Sequence, residues 1–184
     1  MKKLLLLLAI LPLIISCNGQ SNSNYIYSEK ETQQFLNEIT KNAVVSITDI
    51  TEMRNEPSDE FGIITKYPLS KEEVDEYNKN KGTIVNSDGK IDHFTTYKLK
   101  NYELRNEKNE ELQFVDNFRS KTLKGLPLGE YENVLYKNLG ILFTLNKKFE
   151  KLNGFIAIEF EMPNGMEKEI KIPVNITIND KVPE

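Results

Sequence analysis

The C-terminal part of the chain contains two runs in which apolar and polar residues alternate. Their apolar members are Ile156, Ile158, Phe160 and Met162 in the first run, and Met166, Ile170, Ile172, Val174, Ile176 and Ile178 in the second. Successive side chains of a strand point to opposite faces, so a period of two predicts strands with one buried and one solvated face. A helix cannot bury this pattern on one side. The chain is therefore expected to fold around antiparallel β-structure.

The turn between the two runs determines their register. Both apolar stripes fall on even numbers, so a loop of odd length keeps them on one face, whereas a two-residue loop would scramble the faces. Pro163-Asn164-Gly165 suits a three-residue hairpin with the glycine in the left-handed region. Pro173 then belongs on an edge strand or at a bulge. With residues 141–145, the hairpin is predicted to form a three-strand meander.

Two capping boxes predict two short helices in the N-terminal half. Ser28 and Glu31 open the first, which should end near Asn42, and Ser70 and Glu73 open the second, which should end near Gly82. Strands are predicted over residues 43–50, 61–67, 83–86 and 90–100, with a charged loop over Thr51–Glu60 and a turn over 87–90. A further pair of short strands should flank the polar turn 106–109.

The segment Leu126-Pro-Leu-Gly-Glu-Tyr131 allows two interpretations. It resembles the tyrosine corner of Greek-key sandwiches, in which the tyrosine hydroxyl bonds to upstream backbone. Alternatively, residues 131–139 form a helix that Gly140 ends. Together with the strands above, the pattern predicts a mainly β chain with a minor α component, an antiparallel β-sandwich of Ig-like or Greek-key type.

The chain begins with Lys2 and Lys3, followed by an apolar run over residues 4–15. The run would span roughly 18 Å as a helix, which is short for a hydrocarbon core of about 30 Å. These properties are typical of a signal peptide. Ile14-Ile15-Ser16-Cys17 then resembles the lipobox of bacterial lipoproteins, although Leu is more usual where Ile14 stands.

The lipobox resemblance implies cleavage between Ser16 and Cys17 and acylation of Cys17, the only cysteine in the chain. Two or more acyl chains anchor a protein stably, so the lipid bilayer is its expected partner. We expect a signal peptide over residues 1–16, an acylated and flexible tether over 17–27, and one domain over 28–184. In the lipoprotein family Asp after the cysteine retains proteins at the inner membrane, so Asn18 favours the outer membrane. No acidic run of the kind used in some surface-export signals follows Cys17, which favours the periplasmic face.

Charge and motifs exclude several classes of function. The chain has 24 basic and 28 acidic residues and no basic stripe, which argues against nucleic acid as a partner. There is no glycine-rich phosphate loop, no His-Glu-x-x-His motif and no nucleophile elbow. We expect no cofactor, no metal and no catalytic residue.

The only histidine, His93, follows Asp92. On a strand these neighbours would point to opposite faces, so a catalytic dyad is not predicted. Residues 86–92 resemble the middle of an EF-hand loop, but the first and twelfth positions would be Ile84 and Thr95, which lack carboxylates. A hairpin turn is the expected structure there.

Four carboxylates share the outer face of the predicted C-terminal hairpin: Glu159, Glu161, Glu167 and Glu169. A three-residue loop places Glu161 opposite Glu167 and Glu159 opposite Glu169, at a cost of a few tenths of a kcal/mol or more. The cluster is solvated, or a five-residue loop brings Glu159 to Lys171, or the carboxylates form an acidic surface for a basic partner or a cation.

The sequence thus favours a membrane-anchored envelope lipoprotein with a non-enzymatic β-rich binding or structural domain. One alternative is an immunity or inhibitor lipoprotein that blocks an enzyme attacking the envelope, with the acidic hairpin and the loop Thr51–Glu60 as its surfaces. The other is a small hydrolase that uses two carboxylates. The ligand or protein partner is not specified by any motif.

Overall fold

A computed structural model describes residues 24–46, 56–80, 89–115 and 121–178. These residues form two α-helices, a short 3-10 helix over Ile91–Phe94 and eight strands. The helices are α1 (Glu29–Lys41) and α2 (Lys71–Lys79). The strands are β1 (Val44–Ser46), β2 (Ser58–Pro68), β3 (Thr96–Asn106), β4 (Lys121–Thr122), β5 (Lys124–Tyr131), β6 (Val134–Phe149), β7 (Lys151–Glu161) and β8 (Glu167–Thr177).

The strands form two antiparallel sheets of four. The first sheet has the order β1-β2-β6-β5 and the second the order β4-β3-β7-β8. Both sheets contribute to one core, including Phe61 and Ile141 from the first sheet and Leu152, Ile156 and Ile172 from the second. The predicted antiparallel β-sandwich with two helices in the N-terminal half is confirmed.

Both helices begin at the predicted capping boxes. The backbone N–H of Glu31 donates to Ser28 Oγ, and the Ser28 N–H donates to the Glu31 carboxylate. The Ser70 box that opens α2 has the same reciprocal bonds. Helix α1 ends at Lys41 with Asn42 as its C-cap, close to the predicted end near Asn42, and buries Phe35, Leu36 and Ile39 against the sandwich. Helix α2 ends before Asn80, and Gly82 lies outside the described residues.

The C-terminal hairpin has the predicted register. Glu161 pairs with Glu167 and Glu159 with Glu169, across a loop in which the Met162 N–H donates to the Met166 carbonyl. Gly165 has a φ of 81°, as the three-residue loop requires. The five-residue alternative is therefore wrong. Pro173 lies on β8, an edge strand, where a missing N–H is tolerated.

The predicted three-strand meander is wrong. Strand β6 pairs with β2 and β5 in the first sheet, whereas β7 pairs with β3 and β8 in the second. The chain passes from one sheet to the other at Glu150, between β6 and β7. The alternation of apolar residues determines which face of a strand is buried, but it does not determine which strand lies beside it.

Neither interpretation of residues 126–139 is correct. The segment is a hairpin in which Tyr131 pairs with Val134, and the two turn residues Glu132 and Asn133 have φ of 52° and 63°. Positive φ at both central positions defines a type I′ turn. Tyr131 is 47% exposed on the sheet instead of forming a tyrosine corner. The turn lacks the Asn-Gly pair by which such hairpins are usually predicted.

Two strand boundaries also differ from the prediction. Strand β2 begins at Ser58, inside the predicted loop, and the strand expected from Lys90 begins only at Thr96. Residues 91–94 form the 3-10 helix instead. Residues 47–55 and 81–88 lie outside the described part of the chain. They include the second half of the predicted strand 43–50, the first half of the predicted loop 51–60, the predicted strand 83–86 and the first half of the predicted turn 87–90.

Candidate functional site

Several predicted positions lie outside the described residues. Ser16 and Cys17, with the whole lipobox, precede residue 24, and positions 84–88 of the EF-hand-like segment fall in a gap. In the described part of the chain, neither helix has the length and hydrophobicity needed to cross a bilayer.

Asp92 and His93 lie on the 3-10 helix and not on a strand. The Asp92 side chain is 3% exposed and that of His93 is 40% exposed. His93 Nε2 lies 4.0 Å from Asp92 Oδ2, which is too long for a hydrogen bond. The strand assignment on which the prediction rested was wrong, but the two side chains do not form a hydrogen-bonded dyad in this geometry.

The principal partners of Asp92 come from the first sheet. The Tyr67 hydroxyl donates to Asp92 Oδ1 at 2.8 Å, and Lys137 Nζ contacts Oδ1 at 2.9 Å and Oδ2 at 2.8 Å. Burial raises the pKa of the Tyr67 phenol, and the negative charge of Asp92 raises it further. Tyr67 therefore stays protonated and acts as a hydrogen-bond donor. The buried carboxylate is both neutralised and hydrogen bonded.

The Asp92 network joins three elements that are distant in sequence. Tyr67 lies near the end of β2, Lys137 lies near the start of β6, and Asp92 lies on the 3-10 helix that leads into β3. Because the first two belong to the first sheet and β3 to the second, the network connects the two sheets at one end of the sandwich. Sequence reasoning missed this network because no local pattern indicates partners 25 and 45 residues away.

The last position of the EF-hand-like register does not point to a cation site. Thr95 is fully buried, and its hydroxyl donates to the Ile91 carbonyl at 3.3 Å and contacts the Met162 sulfur at 3.2 Å. An EF-hand needs a bidentate carboxylate at this position. The buried Thr95 therefore has a structural role in the described part of the chain.

A cleft of about 370 Å³ lies between α1, the start of α2 and the 3-10 helix. We call it the helix cleft. Phe35 and Tyr67 form part of its wall, with ring centroids 4.9 Å apart in an edge-to-face arrangement. Its rim includes Tyr27, Gln34 and Pro68. A concave site with apolar walls and a few polar groups is typical of a small-molecule or side-chain binding site.

The charges of the helix cleft are already partly paired. Glu73 is 5% exposed, accepts a bond from the Ser70 N–H and lies 3.5 Å from Lys90 Nζ. The capping box thereby fills the N-terminus of α2, where an anion would otherwise bind. Glu31 and Glu38 also line the cleft. Three carboxylates and one ammonium favour a neutral or cationic ligand.

The four glutamates of the C-terminal hairpin differ in their surroundings. Glu159 is only 6% exposed, and its carboxylate lies 2.6 Å from Lys98 Nζ and 3.2 Å from Lys100 Nζ. Lys98 also contacts Glu161. Glu167 and Glu169 are exposed. Glu159 is therefore not solvated. The basic partners of Glu159 and Glu161 come from β3 in the same sheet.

Glu159, Glu161 and Glu167 have oxygens within 4.8 Å of one another, as a metal site would require. The ammonium of Lys98 already contacts the first two. These bonds raise the pKa of Lys98 and, reciprocally, the bond from Lys98 lowers the pKa of Glu159, with a smaller contribution from Lys100. The protein itself supplies the cation, so the carboxylates do not indicate a metal centre.

Comparison with protein-family models, with curated proteins and with solved structures finds no match for this chain.

Proposed function

We propose that this chain is a lipid-anchored lipoprotein of the bacterial envelope, with a non-enzymatic binding or structural domain. One observation carries the proposal: a positive N-terminus, a short apolar run and Ile14-Ile15-Ser16-Cys17 occur in the order of a lipoprotein signal. The only cysteine of the chain stands at the acylation position. Asn18 favours the outer membrane, with the domain facing the periplasm.

The carboxyl groups support a binding role over a hydrolytic one. A carboxylate hydrolase needs a general acid whose pKa is raised, beside a second carboxylate. Among the described residues, the carboxyl groups with a shifted pKa all shift downward: Glu31, Glu107, Glu110 and Glu159. Hydrogen bonds to the ionised form are the main cause in each case. Such groups favour ion pairing and recognition.

The helix cleft is the preferred ligand site. It combines the aromatic wall of Phe35 and Tyr67 with a carboxylate rim, which suits a neutral or cationic group carrying an apolar portion. A side chain of an envelope protein or a small envelope component would have this chemistry.

The anchor is tested by feeding cells an alkyne-labelled fatty acid and comparing the native chain with Cys17→Ser. We expect label and membrane association in the native chain and in a Ser21→Ala control, and neither in Cys17→Ser. A Cys17→Ser protein that is still processed and membrane-bound would contradict the anchor.

The binding role is tested by in-cell photo-crosslinking. A photoreactive amino acid replaces Gln34 on the cleft rim, and a matched variant carries it at the exposed Gln113 instead. Adducts at position 34 that are absent at 113 are expected. A single protein adduct in stoichiometric yield would favour the immunity or inhibitor alternative, and equal labelling at both positions would contradict the helix cleft as the site.

A further inference from the structure

One end of the first sheet carries an exposed aromatic surface on its outer face. We call it the tyrosine patch: Lys66, Pro68, Tyr131, Val134 and Tyr136. The register places these residues together, because Pro68 pairs with Tyr136 and Tyr131 pairs with Val134. Tyr131 is 47% exposed and Val134 is 41% exposed.

The tyrosine patch has a defined arrangement. Lys66 Nζ lies 3.3 Å from the centroid of the Tyr131 ring and 4.7 Å from that of Tyr136, and the two rings are 5.6 Å apart. Gly129 leaves room for the Tyr131 ring, since a Cβ added there would lie 2.9 Å from that ring. Tyrosine and lysine each combine an apolar body with a polar end. This combination is typical of side chains at the membrane–water interface.

The chain enters the fold at the same end. Tyr27 precedes α1 and Pro68 belongs to the tyrosine patch, and both residues line the helix cleft. The segment before α1 therefore lies across the helix cleft from the tyrosine patch. Ile26, the residue before Tyr27, is 83% exposed. Tyr25 packs edge-to-face on Phe94, with centroids 5.3 Å apart, which holds this entry point against the 3-10 helix.

The distance from Cys17 to the fold limits how the domain can face a bilayer. The seven peptide links from Cys17 to Asn24 reach at most about 25 Å. Strand β6 has 16 residues and runs for about 50 Å from this end of the sandwich to the other. An acyl chain on Cys17 therefore restrains the end that carries the tyrosine patch more closely than the opposite end.

We infer that the tyrosine patch and Ile26 form a membrane-contacting surface that rests on lipid headgroups. The inference depends on the proposed acylation of Cys17. Contact is at headgroup depth, because Glu130 and Glu132 flank Tyr131 and oppose deep insertion into hydrocarbon. The occupant is the lipid surface to which Cys17 is anchored, and the helix cleft opens beside it.

The chain has no tryptophan, so a single introduced tryptophan is a clean reporter. Val134→Trp reports from the tyrosine patch. Leu142→Trp, also exposed and on the same face of β6, lies about 26 Å farther along the strand. Val115→Trp, whose backbone pairs with Thr144, reports from beyond that point. Each acylated mature variant, which begins at Cys17, is reconstituted into phosphatidylcholine vesicles whose acyl chains are brominated near the headgroup.

We expect brominated lipid to quench Val134→Trp about threefold more strongly than Leu142→Trp or Val115→Trp, because the two control positions lie about 26 Å or more from Val134 along the sandwich and a domain that rests on its tyrosine patch holds them away from the lipid. Equal quenching at all three positions, or none at 134, would overturn the inference and leave the patch to a protein partner or to solvent. Vesicle flotation separates the two proposals. Protein that fails to float contradicts the anchor and the inference with it, whereas floating protein without quenching at 134 contradicts the inference alone.

Discussion

The outer faces of the two sheets have opposite character. The outer face of the second sheet is charged, and its Glu159 and Glu161 are paired with Lys98 and Lys100. The outer face of the first sheet has exposed apolar side chains: Leu142, on the central strand β6, is 52% exposed, and Val44, on the edge strand β1, is 57% exposed. At its end lies the tyrosine patch, in which Lys66 contacts two aromatic rings.

This difference shows that a conspicuous cluster of charges need not be a binding surface. At Glu159 and Glu161 the charged face of the second sheet supplies its own counterions, so a partner there would have to replace existing bonds. An exposed apolar face gains free energy whenever another surface covers it. The first sheet is therefore the better candidate for contacts outside the domain.

The largest expected effect concerns close backbone packing in the second sheet. Gly154 has a φ of 141°, and an added Cβ would lie 1.8 Å from the Glu103 carbonyl oxygen. Gly154→Ala should destabilise the fold by about 4 kcal/mol or more, because it strains the backbone and separates β7 from β3. Chemical denaturation measures the loss. Gly125→Ala in the first sheet, where no atom beyond the adjacent residues of the chain lies within 4 Å of the new Cβ, is the control. Equal midpoints for the two variants would contradict this account of the packing.

The next effect concerns the ion pair between Lys137 of the first sheet and the buried Asp92. Lys137→Met leaves the buried Asp92 carboxylate with Tyr67 but without a counterion, which should cost about 3 kcal/mol of unfolding free energy. Lys124→Met, on the exposed edge strand β5, should change stability by less than about 0.5 kcal/mol. Urea denaturation of both variants tests the contrast. A near-neutral Lys137→Met would show that Asp92 does not need its ammonium partner.

The paired charges of the second sheet should contribute less. Glu159→Gln should destabilise by about 1–2 kcal/mol, between the values for exposed and fully buried pairs. Because Lys98 lowers the pKa of folded Glu159 below its ordinary value of 4.5, this stabilisation is complete above pH 4.5 and is lost as the pH falls through the lower folded value. The difference between native chain and variant should therefore shrink in acid.

Glu169→Gln is the matched control, since Glu169 faces Glu159 across the hairpin but is exposed. It should relieve repulsion slightly and leave stability within about 0.5 kcal/mol of the native chain. An effect as large as that of Glu159→Gln, or a Glu159 effect that persists unchanged well below pH 4.5, would show that the ion pair with Lys98 is not the source of the stabilisation.

The smallest stability effect is expected on the apolar face of the first sheet. Leu142→Thr keeps a strand-forming residue at a position that is 52% exposed, so stability should change by no more than about 0.5 kcal/mol. Binding of an apolar fluorescent dye should fall at the same time, because the exposed apolar area is reduced. A loss of more than about 1 kcal/mol would indicate that Leu142 is covered in the folded protein.

Features set by neighbouring residues were predictable. The capping boxes at Ser28 and Ser70 and the three-residue loop ending at Gly165 follow from local hydrogen bonding and backbone preference. The register that places Glu159 opposite Glu169 then follows from the even-numbered stripe. In each case the residues that decide the structure lie within a few positions of one another.

Features that depend on the pairing of distant segments were not predictable. The contact of Glu159 with both Lys98 and Lys100 requires β3 to lie beside β7, with an irregularity in register between Leu99 and Asn101. The network of Asp92 with Lys137 requires the start of β6 to reach the 3-10 helix. Hydrophobic alternation is the same whichever strand lies alongside, so these contacts have no local signature. The lipobox is local, and acylation of Cys17 stays a prediction.

Acylation of Cys17 is the central claim, because both the envelope location and the orientation of the tyrosine patch depend on it. The most direct test is mass spectrometry of the intact protein purified from membranes, together with its N-terminal peptide. We predict a mature chain that begins at Cys17 and carries the mass of a diacylglyceryl group with or without an additional amide-linked acyl chain. A chain that retains residues 1–16, or one that carries an unmodified Cys17 thiol, would contradict the account.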